Sequence, residues 1–536
     1  MIERSRFSNF LLTQRRASVL WTLCVMCLFC LSSVPAAQAR ETVDTLIKGG
    51  LFVEGGQEKA ALLQVAIKDG RIHAVGPHLD ETLQADKVID ATGMVVAPGF
   101  IDPHTHAGAE LSSPERKANL NYLTQGVTTV FIGNDGGGAV DVGEKLSRFE
   151  SDGIGTNVAT YVGHGAVRAA VMGRADRAPT SEELAQMKSY VARAMQDGAL
   201  GLSTGLYYVP GSYAATDEVV ALAQVAADHG GMYDSHIRDE SSYSIGLKAA
   251  VSEVIDIARQ TGIAVHVAHI KALGVDVWGQ SRDIVQLVEK AQAEGLKVTA
   301  DQYPWRASGT SVAGALMPRW VMAGSKDAYQ ARLQDPSLSK RIREEMTENL
   351  RRRGGAEAVL ITDKEKPDLV NRTLAEIAKT RDESAIDTAL WIIQEGNARV
   401  ASFNMAPEDI RRFMTQPWVM TSSDGSTGHP RKFASYPKKY ADYVVGEKLL
   451  TLSEFVYHSA GQVADVFGLK GRGYLRPGYV ADVIILDPEK YRPKADFAHP
   501  EQLTEGMQWV LLGGKVVIEE GRFTGDLAGK ALRKNH

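Results

Sequence analysis

The texture of hydrophobic and polar positions changes twice along the chain. Near the start, short apolar runs alternate with turn pairs: Thr45-Leu46-Ile47 before Gly49-Gly50, residues 62–67 before Asp69-Gly70, residues 72–75, and Val88-Ile89-Asp90 before Thr92-Gly93. Runs of this length broken by such pairs predict hairpins of a small antiparallel unit. The same texture returns in residues 481–486 and in 509–512, which turn at Gly513-Gly514 into 515–518. Two β-rich ends around a different middle predict one small β domain built from both ends of the mature chain, residues 40–96 and 466–536.

In the middle, β runs are separated by helical stretches, the pattern of parallel βα units. The strand candidates are residues 95–102, 126–132, 158–162, 200–204, 232–236, 264–269, 297–301 and 418–422. Eight of them fit an α/β fold of the closed (β/α)8, TIM-like kind, over residues 97–465. Residues 306–417 are too long for a bare loop and carry a helical pattern, which predicts an inserted helical cover beside the site. Within it, Ile342, Met346 and Leu350 lie at helical spacing with glutamates between the arginines. That run reads as a solvated amphipathic helix.

Composition sharpens this picture at the N-terminus. Arg4, Arg6, Arg15 and Arg16 precede a mostly apolar run over residues 17–34, and Ala37-Gln38-Ala39 offers a small-x-small cleavage site. Residues 1–39 are therefore expected to be a signal peptide and the mature chain to be exported, in the periplasm. An uncleaved membrane anchor is the rival, and the twin-arginine and general export routes stay open. All three cysteines, Cys24, Cys27 and Cys30, lie in this segment, so a disulfide framework or thiol chemistry downstream is excluded. Its removal takes away four basic and one acidic residue and moves the net charge from -5 to -8. A mildly acidic chain carries no electrostatic footprint for nucleic acid.

Candidate chemistry gathers at the predicted C-terminal strand ends, where a parallel barrel builds its site. In Asp102-Pro103-His104-Thr105-His106 the two imidazoles lie two apart on an extended segment and share a face, so both can chelate one ion. In Asp234-Ser235-His236-Ile237-Arg238, period two places His236 and Arg238 on a common face. His269 and Lys271 likewise share a face, and His266, three residues before His269, points the other way into the core. Asp424, in Ser423-Asp424-Gly425, and Asp135 add carboxylates at the mouth. Four histidines and two carboxylates suit a borderline ion such as Zn2+ with a position left for water. Such an ion lowers the pKa of water to about 7 and polarises a carbonyl, while Asp424 can shuttle the proton to a leaving nitrogen. The chemistry is amide hydrolysis without a covalent intermediate.

At these residues the chain resembles the amidohydrolase superfamily and, within it, the N-acyl-D-amino acid deacylase (D-aminoacylase) family. The likeness runs from about Asp44 to Gly525 through Ala97-Pro98-Gly99-Phe100-Ile101-Asp102, the His-x-His pair, Gly126-Val127-Thr128-Thr129-Val130, Gly201-Leu202-Ser203-Thr204-Gly205-Leu206, Ser235-His236-Ile237-Arg238, Ala268-His269-Ile270-Lys271, Asp301-Gln302-Tyr303-Pro304, Ser423-Asp424-Gly425 and Ala481-Asp482. It implies a barrel with a composite β-sandwich and one or two Zn2+. His236 and His269 would hold the tighter ion, His104 and His106 a second position, and Asp424 would be the general base. Tyr208, Lys271 and Tyr303 match positions that hold substrate in the family.

One position departs from the family pattern. Where its members commonly carry a zinc-binding cysteine in Gly-Asn-Cys-Gly, this chain reads Gly133-Asn134-Asp135-Gly136. Asp135 is expected to be a metal ligand with oxygen in place of sulfur; the alternative is a turn aspartate. Arg238 is expected either to pair with the substrate carboxylate or to brace Asp239 or Glu240. His164 could line the pocket, and His429-Pro430-Arg431 either orders a mouth loop or touches substrate. The expected substrate is a small N-acyl amino acid, D-configured by resemblance. An exported dipeptidase acting on peptides with a D-residue and, in a different class, a non-catalytic binding protein on this scaffold are the alternatives.

Overall fold

The computed structural model describes residues 40–534. The segment with the export pattern, residues 1–39, lies outside the described residues, and so do all three cysteines. No helix among the described residues is long and apolar enough to cross a membrane.

Two β-sheets are assembled from distant parts of the chain. A four-stranded sheet runs in the order Arg71–Gly76, Gln64–Lys68, Glu41–Lys48, Leu83–Asp90. A seven-stranded sheet joins Met507–Leu512 and Val483–Leu486 from the far end to Val95–Pro98 and Leu51–Phe52 from the near end. Ile47, Val65, Ile89, Val483, Ile485 and Leu511 pack into one cluster across this divide. The turn pairs act as their residues dictate. Asp69 and Gly70 both have positive φ, 50° and 73°, and connect Gln64–Lys68 to Arg71–Gly76 in the two-residue turn that matches strand twist.

The middle of the chain is a parallel α/β barrel. Its strands are Phe100–Asp102, Val127–Ile132, Asn157–Thr160 continued by Val162–Gly163, Gly201–Gly205, Met232–His236, Ala264–Val267, Val298–Gln302 and Val419–Thr421. Neighbours pair in parallel throughout. The first and eighth strands meet at their C-terminal ends through a parallel bridge between Thr105 and Gly425, and the Asp424 amide donates to the His104 carbonyl at 2.9 Å. The strands are buried along nearly their whole length, as sheets covered on both faces require.

Three features depart from the expected organisation. The apolar run 95–102 is two strands in different sheets: Val95–Pro98 belongs to the composite sheet, and Phe100–Asp102 opens the barrel. The chain changes sheets at Gly99, where an added Cβ would lie 2.2 Å from Thr128 Oγ1. Only a residue without a side chain leaves room for the Thr128 side chain against the backbone here. Next, the insertion is more than helical. Ala307–Ser311, Arg399–Phe403 and Val359–Ile361 form an antiparallel sheet, packed with helices over a separate core that includes Ile342, Met346, Ile361, Leu374 and Ile392. The expected amphipathic helix is there, as Pro336–Arg352, with Ile342, Met346 and Leu350 buried. Lastly, the end of the segment assigned to the sandwich returns to the barrel. Val158 donates to Lys530 O at 2.9 Å and Leu532 donates to Val158 O at 2.7 Å, at the third strand.

The close approach at Gly99 predicts a measurable cost. Gly99→Ala is expected to destabilise the chain by about 1–3 kcal/mol through overpacking, seen as a lower urea midpoint. Adding Thr128→Ala should recover much of that loss. An unchanged midpoint in Gly99→Ala would contradict the steric role.

Candidate metal centre and active site

The six residues expected at the barrel mouth all stand at strand ends. His104 and His106 follow Phe100–Asp102, Asp135 follows Val127–Ile132, His236 ends Met232–His236, His269 follows Ala264–Val267 and Asp424 follows Val419–Thr421. Asp135, His269 and Asp424 have positive φ of 56°, 36° and 47°. That left-handed backbone is unfavourable for residues with a Cβ and persists only where the surroundings impose it. All three are residues whose side chains meet over the barrel mouth.

Asp135 sits among the four imidazoles. Its Oδ1 is 3.4 Å from His104 Nε2, 3.5 Å from His236 Nδ1 and 3.4 Å from His269 Nε2, and its Oδ2 is 3.5 Å from His106 Nε2. Asp424 Oδ1 lies 3.1 Å from His106 Nε2 and 3.8 Å from His104 Nε2. His104 Nε2, both ring nitrogens of His236 and Asp135 Oδ1 are buried without a hydrogen-bond partner among the described residues. Orphaned buried donors and acceptors are rare in native proteins and call for a ligand or ion. One atom each from His104, Asp135, His269 and Asp424 falls within 4.8 Å of all the others. Nitrogen and carboxylate oxygen in this arrangement fit a borderline divalent ion.

The groups behind these side chains hold them in place. Asp301 Oδ1 accepts from the His269 amide at 3.0 Å, and its Oδ2 faces His266 Nε2 at 2.9 Å. His266 also faces Thr299 Oγ1 at 2.8 Å and is fully buried, so it serves Asp301 and stays outside the cluster. Burial acts to raise the pKa of Asp135, but the charge of His104 and the close imidazoles of His104, His236 and His269 outweigh it and hold the carboxyl well below its ordinary value. For Asp424, burial is likewise outweighed, first by Arg431 and then by His269. Both carboxylates are therefore anionic at neutral pH.

A cavity of about 470 Å³ opens over this cluster. Beside the histidines it is lined by Tyr208, Lys271, Tyr303 and Arg431. Lys271 Nζ lies 2.5 Å from Glu240 Oε1 and 2.7 Å from His269 Nδ1. Arg431 pairs with Asp424 Oδ2 at 2.7 Å and stacks over the Tyr303 ring at 4.7 Å. The Tyr303 hydroxyl is buried without a partner, and burial raises its pKa well above the ordinary value, so it remains a donor. Tyr208 packs on His236 with ring centroids 4.7 Å apart. A phenol, an ammonium and a guanidinium converging beside the cluster make an anchor for a carboxylate.

Arg238 does not join them. The strand ends at His236, period-two alternation ends with it, and Arg238 turns away to pair bidentately with Glu253, at 2.7 and 2.9 Å. It lines a neighbouring cavity and leaves the site to Glu240, four residues after His236. Nor does Arg238 brace Asp239, whose carboxylate accepts the amides of Ser241, Ser244 and Gly246. His164 pairs with buried Glu218 at 2.8 Å, which also holds Arg168. His429 Nδ1 accepts from the Arg431 amide at 3.1 Å and its Nε2 faces the Ala307 carbonyl at 3.0 Å. It orders the loop, and Arg431 reaches the site. Glu240, Arg353 and Arg399 are lining residues that sequence reasoning missed. None of the three carries a signal in the sequence, because residues 237–240 lie beyond the strand Met232–His236 and the two arginines belong to the insertion.

A sequence profile of the amidohydrolase family matches residues 87–518. The chain is 30% identical to a D-aminoacylase of Alcaligenes xylosoxydans xylosoxydans over 518 residues, covering 92% of this chain and 98% of that one. Among solved structures it is similar to the N-acyl-D-glutamate deacylase from Bordetella bronchiseptica, complexed with zinc and a phosphonate that mimics the tetrahedral intermediate. The TM-score there is 0.78 at 30% identity, covering 92% of this chain and 100% of that one. A D-aminoacylase structure concerned with a binuclear metal centre gives 0.78 at 29% identity with the same coverage.

The pairing of Arg238 with Glu253 predicts a structural role. Arg238→Met leaves a largely buried carboxylate uncompensated and is expected to cost about 3 kcal/mol of stability. The substrate KM should stay near that of the parent chain. A large rise in KM with unchanged stability would return Arg238 to the site.

Proposed function

We propose, for a chain that belongs to the amidohydrolase family, the metal-dependent hydrolysis of the amide bond of N-acyl-D-amino acids. The observation that carries this reading is the convergence, in one cavity, of Asp135 among four histidines, Asp424 beside them, and an anchor of Lys271, Tyr303 and Arg431. The relatives are a D-aminoacylase and an N-acyl-D-glutamate deacylase, which supplies the substrate class. The residues that would hold zinc are His104, His106, His236 and His269 with Asp135. Asp135 stands where the family commonly has a thiolate, and its two oxygens, facing different histidines, suit it to serve one ion or two.

When bound, the ion supplies an acidified water and polarises the amide carbonyl. Asp424 accepts the proton of the attacking water as the C–O bond forms, and returns it to the amide nitrogen as the C–N bond breaks, releasing a carboxylic acid and a free amino acid. Arg431 keeps Asp424 ionised and oriented through Oδ2 and leaves Oδ1 toward the histidines. Lys271, Tyr303 and Arg431 take the α-carboxylate, and Tyr208 closes the wall beside His236. Fixing the carboxylate on one side and the amide carbonyl on the other orients the α-carbon over the cluster, and the hand is then selected by where the remaining wall admits the side chain. The reading includes a periplasmic location, supported by the apolar run 17–34 and by Ala37-Gln38-Ala39.

Three outcomes test the reading. Zinc-loaded protein is expected to hydrolyse N-acetyl-D-amino acids and spare their L enantiomers, and a preference for L substrates would refute the assignment. Asp424→Asn is expected to keep its metal content while kcat falls by about 10²–10⁴-fold. Asp135→Ala is expected to lose metal by elemental analysis and activity with it; full metal content and rate in that variant would remove Asp135 from the ligand set.

A further inference from the structure

A second cavity borders the catalytic one on the side away from the carboxylate anchor. It measures about 550 Å³ and shares Tyr207, Tyr208, Ser311 and Gly314 with the catalytic cavity. Tyr207 and Tyr208 follow Gly201–Gly205, the fourth barrel strand, whereas Lys271, Tyr303 and Arg431 follow the sixth, seventh and eighth. In a ring of eight the fourth strand stands across from the eighth, so this border lies beyond the histidine cluster as seen from Arg431.

The insertion's own core supplies the apolar lining. Ala313, from Val312–Leu316, and Ile393, from Ala385–Gln394, are buried in that core, and Met322 and Tyr329 pack against it half-buried. Val209 adds to the same lining. Of the cations that touch the cavity, Arg174 and Lys326 are exposed. Arg319 is committed to Tyr207: its Nε donates to the Tyr207 carbonyl at 2.7 Å and its guanidinium lies 3.5 Å from the ring centroid. The other neighbouring cavity, across Tyr207 and Tyr243, differs in being lined by Arg238, Arg352, Glu345 and Glu348.

The proposed reaction fixes its substrate at two points, the α-carboxylate at the anchor and the amide carbonyl at the cluster. In an N-acyl amino acid the acyl chain continues from that carbonyl away from the α-carbon, and so away from the carboxylate. Across the cluster from the anchor, that continuation meets Tyr208 and the second cavity, while the side chain leaves from the carbon next to the anchor. An acetyl group ends beside the cluster. A longer alkyl chain covers Met322 and Tyr329 and gains in proportion to the apolar area removed from water. We propose that this cavity receives the acyl chain, so that the enzyme favours substrates whose acyl group is a straight alkyl chain of several carbons over their N-acetyl counterparts. The inference rests on the acylase reading and deepens it.

The test is a chain-length series on the zinc-loaded enzyme, N-acetyl-, N-butanoyl- and N-hexanoyl-D-alanine, read as kcat/KM. It is expected to rise by about fourfold for each methylene buried. Met322→Trp and Gln330→Trp fill the cavity from two different segments, and in each the hexanoyl-to-acetyl ratio should fall toward one. A flat series, or a rise that survives both substitutions, overturns the inference. So does a side-chain effect in its place: if the substitutions leave the acyl series intact and lower the ratio of N-acetyl-D-norleucine to N-acetyl-D-alanine, the cavity serves the side chain. In parallel, calorimetry with acetate, butanoate and hexanoate on the zinc-loaded protein reads the acyl end without turnover. A rise in affinity with chain length that both substitutions remove, with no hydrolysis of any acyl-D-amino acid, would sustain the subsite and refute the acylase reading. Hydrolysis of N-acetyl-D-amino acids with no gain along either series would do the reverse.

Discussion

A carboxylate oxygen buried without a hydrogen-bond donor calls for polar partners around it, and the mouth of this barrel is arranged around that requirement at Asp135 Oδ1. Four imidazoles from three strand ends face its two oxygens at 3.4–3.5 Å. None of them is near another in sequence except His104 and His106, so the barrel must close before the cluster exists. The hydrogen bond from the Asp424 amide to the His104 carbonyl is part of that closure, and it also places the Asp424 carboxylate beside the cluster. Barrel formation and assembly of the site are thus one event, and the left-handed backbones of Asp135, His269 and Asp424 are held by it.

Around this centre the charges are sorted by origin. The barrel strands supply the histidines, the two carboxylates and Lys271, while the loop after the eighth strand supplies Arg431 and the insertion supplies Arg353 and Arg399. The wall of the cavity thus combines groups fixed at the strand ends with groups brought from outside the ring. The composite sandwich acts at a distance. Asp482 accepts the Gly99 amide through its carbonyl at 2.9 Å, and its Oδ2 accepts from Asn157 Nδ2 at 3.1 Å, which ties the sandwich to the entry of the first barrel strand and the start of the third.

Legibility of the sequence followed locality. The barrel strands are readable because each is an apolar run bounded by turn residues, and Met232–His236 coincides with its expected span. The change of sheet at Gly99 leaves no mark, since residues 95–102 form one apolar run whichever sheet they join. Ala307–Ser311 is read as part of a helical cover because Ser, Gly and Thr carry little hydrophobic signal; its pairing with Arg399–Phe403 makes it a strand. Arg238 was assigned to the site by an alternation that holds only while the chain is extended.

The sequence by itself determined the fold class and the positions of the ligand candidates, Asp135 among them, because residue type and strand-end spacing are local properties. Only the tertiary structure decided that Asp135 faces all four histidines, that Glu240 replaces Arg238 at the wall, and that Arg431 and Arg399 reach the cavity. Those outcomes depend on which distant backbones come within a few ångströms of each other. That is set by closure of the barrel and by packing of the insertion over its mouth, and no periodicity along the chain encodes it.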